Sequence, residues 1–389
     1  PDHITNRMLK QIKDIIAPTL ATLFTKCFTY GHFPTCWKNA SLVIFPKPNK
    51  TDYNTPKNYR PISLISNISK ILEKTMQKLI QNHILDNDLQ NTNQHGFTKQ
   101  KSTSTALHSI TNDIIHNKIN KKLTSMLSVD YSGAFDNANW HVITKNMDNM
   151  NIPRQYTQLI QSYLSNRSVT YKYNNKTQTK ILTKGCPQGS PLSPTLWNIL
   201  INTLLDTFNI PNAKIHTYAD DVTVICFGNT INQLQDTLQK SIAYINTWST
   251  NNYLTINTQK TQILHFHKKS LTTPITLNNE HIQIVDKMKI LGLTMQNHQH
   301  RNKINFNLHI ENTIAKTIRT KNALFNFCKN TYGINTKKRQ NLYKGLIRPQ
   351  LTYGSEIWFK HITKKTSEKT RIRTTHNLKT LDYGLQNNL

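Results

Sequence analysis

Three aspartates stand where the chain is expected to leave β-strands. Asp130 ends the apolar segment that begins at Ser125, and Asp220-Asp221 form a tight turn between two short apolar runs within residues 213–227. Neighbouring carboxylates repel each other, and a divalent cation relieves this repulsion, because Mg²⁺ prefers hard oxygen ligands and takes one or two carboxylates plus substrate phosphates. If Asp130 lies alongside the turn, the three carboxylates would hold two metal ions and support in-line nucleotidyl transfer. A solvated turn is the alternative interpretation of the Asp-Asp pair.

The charge of the chain favours a polyanionic partner. Its 389 residues include 49 Lys and Arg against 20 Asp and Glu, a formal net charge of +29. A protein this basic is expected to bind nucleic acid. The five cysteines are never spaced as C-x-x-C, which argues against a disulfide scaffold or a zinc knuckle, and the longest apolar runs are far shorter than a membrane span. Because position 1 is Pro, we expect the chain to be cut from a longer polyprotein.

The elements expected around the aspartates alternate between helix and strand. A helix is predicted to begin at Ser102, and another to run from Gly133 to Met150. Residues 169–182 carry Asn174-Asn175 between alternating residues, which predicts a β-hairpin. Beyond residue 300 the pattern indicates helices only. This alternation predicts an α+β fold in which a mixed, mostly antiparallel sheet carries helices on one face.

Eight sequence blocks, taken in order, resemble the reverse transcriptase region of non-LTR (LINE-type) retrotransposons, in particular jockey-like elements. They are NYRPISLISNISKILEK from Asn58, QHGFTKQKSTSTAL from Gln94, SVDYSGAFDNANW from Ser128, GCPQGSPLSP from Gly185, YADD at 218–221, NYLTINTQKTQILHF from Asn252, KILGLTM from Lys289 and LTYGSEIW from Leu351. Four residues such as YADD recur freely, whereas the ordered set is specific and covers most of the chain.

The resemblance implies an α+β right-hand polymerase with a mixed antiparallel palm sheet, helical fingers and an all-α thumb. On this basis residues 1–122 are the predicted N-terminal extension and fingers. Residues 123–295 are the predicted palm, with a fingers insertion at about 153–184. Residues 300–389 are the predicted thumb and basic C-terminal helices.

The resemblance also assigns the catalytic chemistry to four positions. Asp130, Asp220 and Asp221 would be catalytic and would bind two Mg²⁺ ions, which Mn²⁺ can replace. Lys260 would lie near the pyrophosphate, where it either donates a proton to the leaving group or only offsets charge.

Five consecutive residues after Asp130 are implied in nucleotide binding. The backbone of Tyr131, Ser132, Gly133 and Ala134 would hold the triphosphate. Phe135 would be a steric gate, because an aromatic ring beneath the sugar clashes with a 2′-hydroxyl and so selects dNTP. A core aromatic is the alternative for Phe135.

Four further positions are implied in substrate contacts. Gln188 and Gly189 would lie against the nascent base pair, with turn formation as the alternative for Gly189. Lys47 and Arg60 match fingers residues that grip the triphosphate, with generic surface charge as the alternative. Residues 289–295 resemble a primer-grip hairpin.

Taken together, the resemblance implies an RNA-directed DNA polymerase that copies element RNA into DNA. Its partners would be an RNA template, a DNA primer or target DNA and dNTP, with no membrane. An endonuclease domain would lie on the missing part of the polyprotein, and the protein would act in the nucleus after a cytoplasmic ribonucleoprotein phase. The alternatives are a decayed or domesticated copy that only binds RNA, and a maturase or telomerase-like polymerase that shares the palm.

Overall fold

Thirteen labelled strands and thirteen labelled α-helices occupy the described part of the chain. The computed structural model describes residues 2, 4–48, 52–297, 303–327 and 335–361, so the basic residues predicted at 362–389 lie outside it. The strands are β1 (Asn39–Pro46), β2 (Tyr59–Leu64), β3 (Leu123–Val129), β4 (Ser168–Tyr173), β5 (Lys176–Ile181), β6 (Ala213–Tyr218), β7 (Asp221–Gly228), β8 (Gln262–His265), β9 (Thr276–Leu277), β10 (Glu280–His281), β11 (Gln283–Val285), β12 (Lys287–Ile290) and β13 (Leu293–Gln296). The helices are α1 (Asn6–Gln11), α2 (Lys13–Tyr30), α3 (Asn67–Asp86), α4 (Thr103–Ile119), α5 (Ala134–Asn137), α6 (Trp140–Asn149), α7 (Arg154–Leu164), α8 (Ser193–Thr207), α9 (Ile231–Asn251), α10 (Asn307–Phe327), α11 (Thr336–Leu342), α12 (Arg348–Thr352) and α13 (Ser355–Trp358).

A five-stranded sheet forms the centre of the predicted palm. Its order is β11-β8-β3-β7-β6, with β3 antiparallel to both neighbours and β11 parallel to β8. The sheet is therefore mixed and mostly antiparallel, as predicted. Val129 at the end of β3 pairs with Val222 in β7, so residue 130 leaves the sheet beside the turn that joins β6 to β7.

This sheet is covered on both faces, so the prediction of helices on one face was wrong. Met126 belongs to an apolar cluster with Ile110 of α4, whereas the next residue, Leu127, belongs to a cluster with Leu238 of α9. Successive side chains of a strand point to opposite faces, and both faces of β3 are apolar. Burial on two sides leaves the ends of the strands as the places where polar side chains reach solvent.

A second sheet has four strands in the order β2-β1-β4-β5. β1 pairs in parallel with β4, so residues 168–181 join the sheet formed by residues 39–64. Asn174 and Asn175 have φ angles of 42° and 62°, which the predicted two-residue hairpin turn requires. The segments predicted as helical fingers therefore contain strands of this sheet in addition to helices.

Two predicted helices differ from the structure. The helix expected at Gly133–Met150 is divided into α5 and α6, because the Asn139 side chain accepts hydrogen bonds from the first amides of α6 and starts a new helix there. The apolar spacing over residues 5–30 predicts a helix interrupted only at Pro18, whereas the break lies at Ile12 and Pro18 is inside α2. The helix start at Ser102 is confirmed, since Ser102 caps α4 in a reciprocal pair with Thr105.

The hairpin of β12 and β13 packs against the helices that follow. Its turn contains Leu291 and Gly292, both with positive φ, and the Tyr353 hydroxyl donates to the Leu291 carbonyl at 2.6 Å. Trp358 of α13 is buried in the same apolar cluster as Leu293. Among the described residues none of the helices has the length and apolar character that crossing a lipid bilayer requires.

Candidate active site

The three predicted catalytic aspartates gather at one end of the palm sheet. Asp130 directly follows β3, and Asp220 and Asp221 follow the last residue of β6, where Tyr218 pairs with Asp221 across the turn. We call residues 218–221 the acidic turn. Ala219 in this turn has a φ of 56°, a left-handed conformation that is uncommon for a residue with a side chain. The sheet register therefore brings together carboxylates that are 90 residues apart in sequence.

Burial and mutual repulsion change the acidity of the two adjacent carboxyls. The pKa of Asp221 is raised to about 6, first because burial removes part of the surrounding water and second because Asp220 and Asp130 are close. The pKa of Asp220 is also raised, mainly by burial and further by Asp130, while Lys260 opposes the shift. Both shifts disfavour the ionised carboxylates. A cation bound beside them would stabilise the ionised form, because it offsets their mutual repulsion.

Lys260 is a cation already close to these carboxylates. Its Nζ lies 3.2 Å from Oδ2 of Asp130, and both side chains are partly accessible to solvent. The backbone of Asp130 is held in place, because its carbonyl accepts a hydrogen bond from the Asn257 amide at 2.7 Å. In the ranges that the structure describes, no three His, Cys, Asp or Glu side chains, these aspartates included, are close enough together to hold one metal ion.

Two residues that the sequence interpretation missed hold the backbone of the acidic turn. The Trp197 indole N–H donates to the Ala219 carbonyl at 2.9 Å, and the Ala219 amide donates to Oε1 of Gln94 at 3.3 Å. Gly96 lies against the same backbone, since a Cβ there would be 2.2 Å from the Ala219 nitrogen. Gln94 and Gly96 belong to the QHGF block quoted above, which was the available signal, whereas Trp197 stood in an apolar helix that gave none.

The residues after Asp130 turn sharply beneath the carboxylates. The Ser132 amide donates to the Thr255 carbonyl at 2.9 Å, and buried Tyr131 contacts Oγ of Ser249 through its hydroxyl at 3.2 Å. Gly133 has a φ of 59° and precedes Ala134, the first residue of α5. This segment therefore crosses the end of the sheet as a tight turn.

Phe135 lies on the face of a buried tryptophan. Its ring centroid is 5.2 Å from that of Trp197, and the planes are inclined by 30°. Phe135 itself is half-buried and packs against the larger apolar cluster. Part of Phe135 therefore remains accessible to solvent, while the rest packs against the core.

The loop at residues 184–192 connects β5 of the four-stranded sheet to α8. Gln188 donates from Nε2 to Oδ1 of Asp136 at 2.9 Å, and its carbonyl accepts from the Ser63 amide at 2.8 Å. Gly189 has a φ of 118°, and a Cβ there would be 2.6 Å from the Ser63 carbonyl oxygen. Glycine is needed at this position for the backbone conformation and for the close approach of β2. Asp136 thus acts as a hydrogen-bond acceptor that holds the Gln188 side chain.

A buried glutamate anchors the same loop from below. Glu73 accepts from the Ser69 hydroxyl at 2.8 Å and from the Ser190 hydroxyl, which in turn accepts from Tyr163 at 3.0 Å. The Arg167 guanidinium lies 4.5 Å from the Tyr163 ring centre and donates to the Tyr163 carbonyl. Burial raises the pKa of Glu73, and the two serine bonds and Arg167 oppose that shift. We call these five residues the glutamate network.

Lys47 and Arg60, the predicted triphosphate-gripping residues, lie at the end of the β1–β2 pair that is away from Ser63. Arg60 is exposed on β2, opposite Phe45 of β1. Lys47 follows β1 and donates from Nζ to the Lys57 carbonyl at 2.8 Å. In this conformation the Lys47 ammonium is thus used within its own loop.

An α+β fold whose mixed sheet ends in paired acidic residues, flanked by a second sheet and a helical region, defines a right-hand nucleic-acid polymerase. Residues 45–295, more than half of the chain, match the family described as reverse transcriptase (RNA-dependent DNA polymerase). The chain therefore belongs to the reverse transcriptase family.

Curated relatives place it among mobile-element proteins. It is 28% identical to the "Retrovirus-related Pol polyprotein from type-1 retrotransposable element R1" of Bradysia coprophila, over 92% of this chain and 35% of that protein. It is 29% identical to the "RNA-directed DNA polymerase from mobile element jockey" of Drosophila melanogaster, over 92% of this chain and 39% of that protein. The predicted similarity to non-LTR retrotransposon polymerases is confirmed, and the chain spans between a third and two-fifths of the length of these relatives.

Among solved structures, apo telomerase from Candida tropicalis, truncated from its C-terminal domain, superposes with a TM-score of 0.49 at 14% identity. The match covers 75% of this chain and 60% of that chain. This similarity is too low for a comparison of individual residues.

Proposed function

We propose that this chain is the RNA-directed DNA polymerase of a non-LTR retrotransposon, which copies element RNA into DNA at the acidic end of its palm sheet. The observation that carries the proposal is the gathering of Asp130, Asp220 and Asp221 at the end of a sheet in a reverse transcriptase, where burial and like charge raise the pKa of the last two. Such a group of carboxylates is unfavourable unless it binds something positive.

The proposed cofactor is a pair of Mg²⁺ ions, which Mn²⁺ can replace, held by Asp130, Asp220 and Asp221. The donor set fits, because all three are hard oxygen ligands that repel one another. A cage of three protein side chains is not required, since Mg²⁺ commonly binds one or two carboxylates and completes its shell with water and substrate phosphates. When bound, the ions would activate the primer 3′-hydroxyl and neutralise the leaving pyrophosphate.

Lys260 is proposed to act on the pyrophosphate side. Its ammonium is mobile enough to leave Asp130, because the pair at 3.2 Å is partly solvent-exposed and such pairs are weak. Once Asp130 binds a metal ion, Lys260 would be released toward the triphosphate. There it would offset charge or donate a proton to the leaving group.

The nucleotide is proposed to lie over the turn at 131–135 and beneath the loop at 184–192. The accessible part of the Phe135 ring would contact the sugar and exclude a 2′-hydroxyl, and the backbone of Tyr131, Ser132, Gly133 and Ala134 would run beside the triphosphate. Gln188 and Gly189 would lie at the base pair, which is supported by their fixed contacts to Asp136 and Ser63. Lys47 and Arg60 would close on the phosphates from the fingers sheet.

Nucleic-acid partners are supported by the charge of the fingers hairpin. No Asp or Glu occurs in residues 149–205, and β4 and β5 carry Lys172, Lys176 and Lys180, with every residue of β5 exposed. We propose that an RNA template and a DNA primer or target DNA bind this chain, and that an endonuclease lies elsewhere in the polyprotein. The domain boundaries given above and a nuclear site of action after a cytoplasmic ribonucleoprotein phase are part of the same proposal.

The test is primer extension on poly(rA) with an oligo(dT) primer, dTTP and Mg²⁺. The wild type is compared with an Asp220→Ala/Asp221→Ala variant at matched RNA affinity. Asp236→Ala is the control, because Asp236 is an exposed carboxylate on α9 that pairs with Lys240. Extension should persist in the control and vanish in the double variant. A folded, RNA-binding wild type that extends no primer would contradict the proposal and leave a copy that only binds RNA.

A further inference from the structure

Trp197 contacts two parts of the active site that the proposed chemistry treats separately. It lies on α8, is completely buried, and is among the largest fully buried side chains in the described residues. Its indole N–H reaches the acidic turn, and its ring faces Phe135. One indole therefore joins the acidic turn and Phe135 through two different groups.

The N–H contact stabilises an unfavourable backbone conformation. Ala219 has left-handed φ and is 7% exposed, so its carbonyl cannot bind bulk water and needs a protein donor. That donor is Trp197 at 2.9 Å, a shorter bond than the 3.3 Å bond between the Ala219 amide and Gln94. Because Asp220 is the next residue, a shift of the Ala219 peptide moves the first carboxylate of the turn directly.

The ring contact supports the predicted steric gate. Phe135 stacks on Trp197 with a centroid separation of 5.2 Å, and Tyr131 meets the same indole edge-on at 6.3 Å. Aromatic stacking fixes the height of a ring relative to its neighbour. The distance between the Phe135 ring and a bound sugar would therefore be set from below by Trp197.

We propose that Trp197 is a positioning residue that links sugar selection to metal-site geometry: its ring sets the height of Phe135, and its N–H fixes the Ala219 peptide that carries Asp220. The inference rests on the proposed function, since both roles concern nucleotide incorporation. It adds that the ring and the N–H of Trp197 have different roles. Substitutions at this position can separate the two roles.

Two substitutions at this position divide the roles. Trp197→Phe keeps an aromatic ring next to Phe135 and removes the N–H donor. Trp197→Leu removes both. Leu204→Ala is the control for loss of stability alone, because Leu204 is fully buried on the same helix, two turns away from Trp197. Each variant is made with Phe135 and with Phe135→Val, and thermal stability and RNA affinity are measured for all.

The readouts are kcat for dTTP, the Mg²⁺ concentration for half-maximal rate, and the ratio of kcat/KM for dTTP over UTP. For Trp197→Phe we expect kcat to fall roughly 10- to 100-fold, as for a small misplacement of a catalytic group, with a higher Mg²⁺ requirement and selectivity within about twofold of wild type. For Trp197→Leu we expect selectivity to fall as well, about tenfold. In the Phe135→Val background Trp197→Leu should lower selectivity no further, because the gate it acts through is gone.

Three results would overturn the inference while the wild type remains active. These are a Trp197→Phe enzyme with unchanged kcat and Mg²⁺ requirement, an equal loss of selectivity by Trp197→Leu with and without Phe135, and a Leu204→Ala enzyme that reproduces the Trp197 effects. A wild type that extends no primer, and whose complex with chain-terminated primer binds neither dTTP nor UTP, would overturn the proposed function and this inference with it.

Discussion

The buried Glu73 carboxyl and the aspartates at the end of the palm sheet have different neighbours. Glu73 is fully buried and accepts hydrogen bonds from two serine hydroxyls, with the Arg167 guanidinium nearby. Asp220 and Asp221 lie at the end of the palm sheet next to each other and close to Asp130, and the Lys260 ammonium opposes the pKa shift of Asp220. Burial raises the pKa of the carboxyl in both places; the serine hydroxyls and Arg167 oppose the shift at Glu73, whereas the neighbouring aspartates add to the shift at Asp221.

Glu73 has a stabilising role, whereas Asp220 and Asp221 have a functional one. A buried carboxylate whose lone pairs are filled by protein donors holds its surroundings in place, as Glu73 holds Ser190 under the loop at 184–192. Carboxylates that repel each other at the end of a sheet cost free energy in the folded protein and are useful only with a ligand. We therefore expect removal of charge to have opposite consequences at the two places.

The largest effect is expected from Asp221→Asn or Asp220→Asn. Primer extension should fall about 10³-fold or more, because several kcal/mol of transition-state charge stabilisation are lost. The free energy of unfolding at pH 7 without metal should stay equal or rise, since a like-charge contact is removed. Extension rates and urea unfolding of the same preparations measure both. A primer-extension rate of Asp221→Asn within tenfold of wild type would contradict the functional role assigned to these aspartates.

The second effect is a loss of stability on Glu73→Ala. Without the Glu73 carboxyl group, the buried Ser69 and Ser190 hydroxyls lose their acceptor, which should cost about 3 kcal/mol of unfolding free energy. Tyr163→Phe, which removes one bond to Ser190, should cost about 1 kcal/mol. Equilibrium urea unfolding is the measurement. Equal stability of Glu73→Ala and wild type would mean that the glutamate network does not hold the fold.

Part of this arrangement could be predicted from sequence. The acidic turn, the Asn174-Asn175 hairpin and the Ser102 helix cap depend on neighbouring residues, and each was predicted at its position. The contacts of Gln94 and Trp197 with Ala219 span 125 and 22 residues, and no local pattern encodes such pairs. For the same reason no local pattern around Glu73 predicts its bond to Ser190, which is 117 residues away.

The third effect is a pH dependence of metal binding. The pKa of Asp221 is about 6, above its ordinary value of 3.8, so the folded protein binds this proton more tightly than the unfolded chain does. In the metal-free protein the ionised Asp221 therefore lowers the free energy of unfolding at pH 7. This cost decreases as the pH falls from 7 through 6 toward 4. Mg²⁺ needs the ionised carboxylate, so its apparent affinity should weaken below about pH 6.

Asp220→Asn should move that weakening of Mg²⁺ affinity to lower pH, because the Asp220 charge is the second cause of the Asp221 shift. The measurement is the Mg²⁺ titration of the complex with template, primer and nucleotide between pH 5 and 8. Glu73→Gln is the comparison variant and should leave the profile unchanged. An unchanged profile in Asp220→Asn would contradict the assignment of the shift to like-charge repulsion.

The smallest effect is expected on the basic hairpin. Lys176→Gln/Lys180→Gln should weaken RNA binding several-fold at 0.1 M salt and lower the slope of log affinity against log salt by about 1 to 1.5, because two exposed phosphate contacts are removed. Lys240→Gln is the control, since Lys240 lies on α9 paired with Asp236. Equal salt slopes for wild type and the hairpin variant would exclude β5 from the RNA-binding surface.

The most direct test of the central claim is Mn²⁺ binding followed by electron paramagnetic resonance. The sample is the complex with RNA template, chain-terminated DNA primer and the next dNTP, prepared for wild type, Asp220→Asn/Asp221→Asn and Glu73→Gln. We predict protein-bound Mn²⁺ in wild type and Glu73→Gln and its loss in the double aspartate variant. Equal Mn²⁺ binding in all three proteins would contradict the assignment of the open carboxylates at the end of the palm sheet as the metal site.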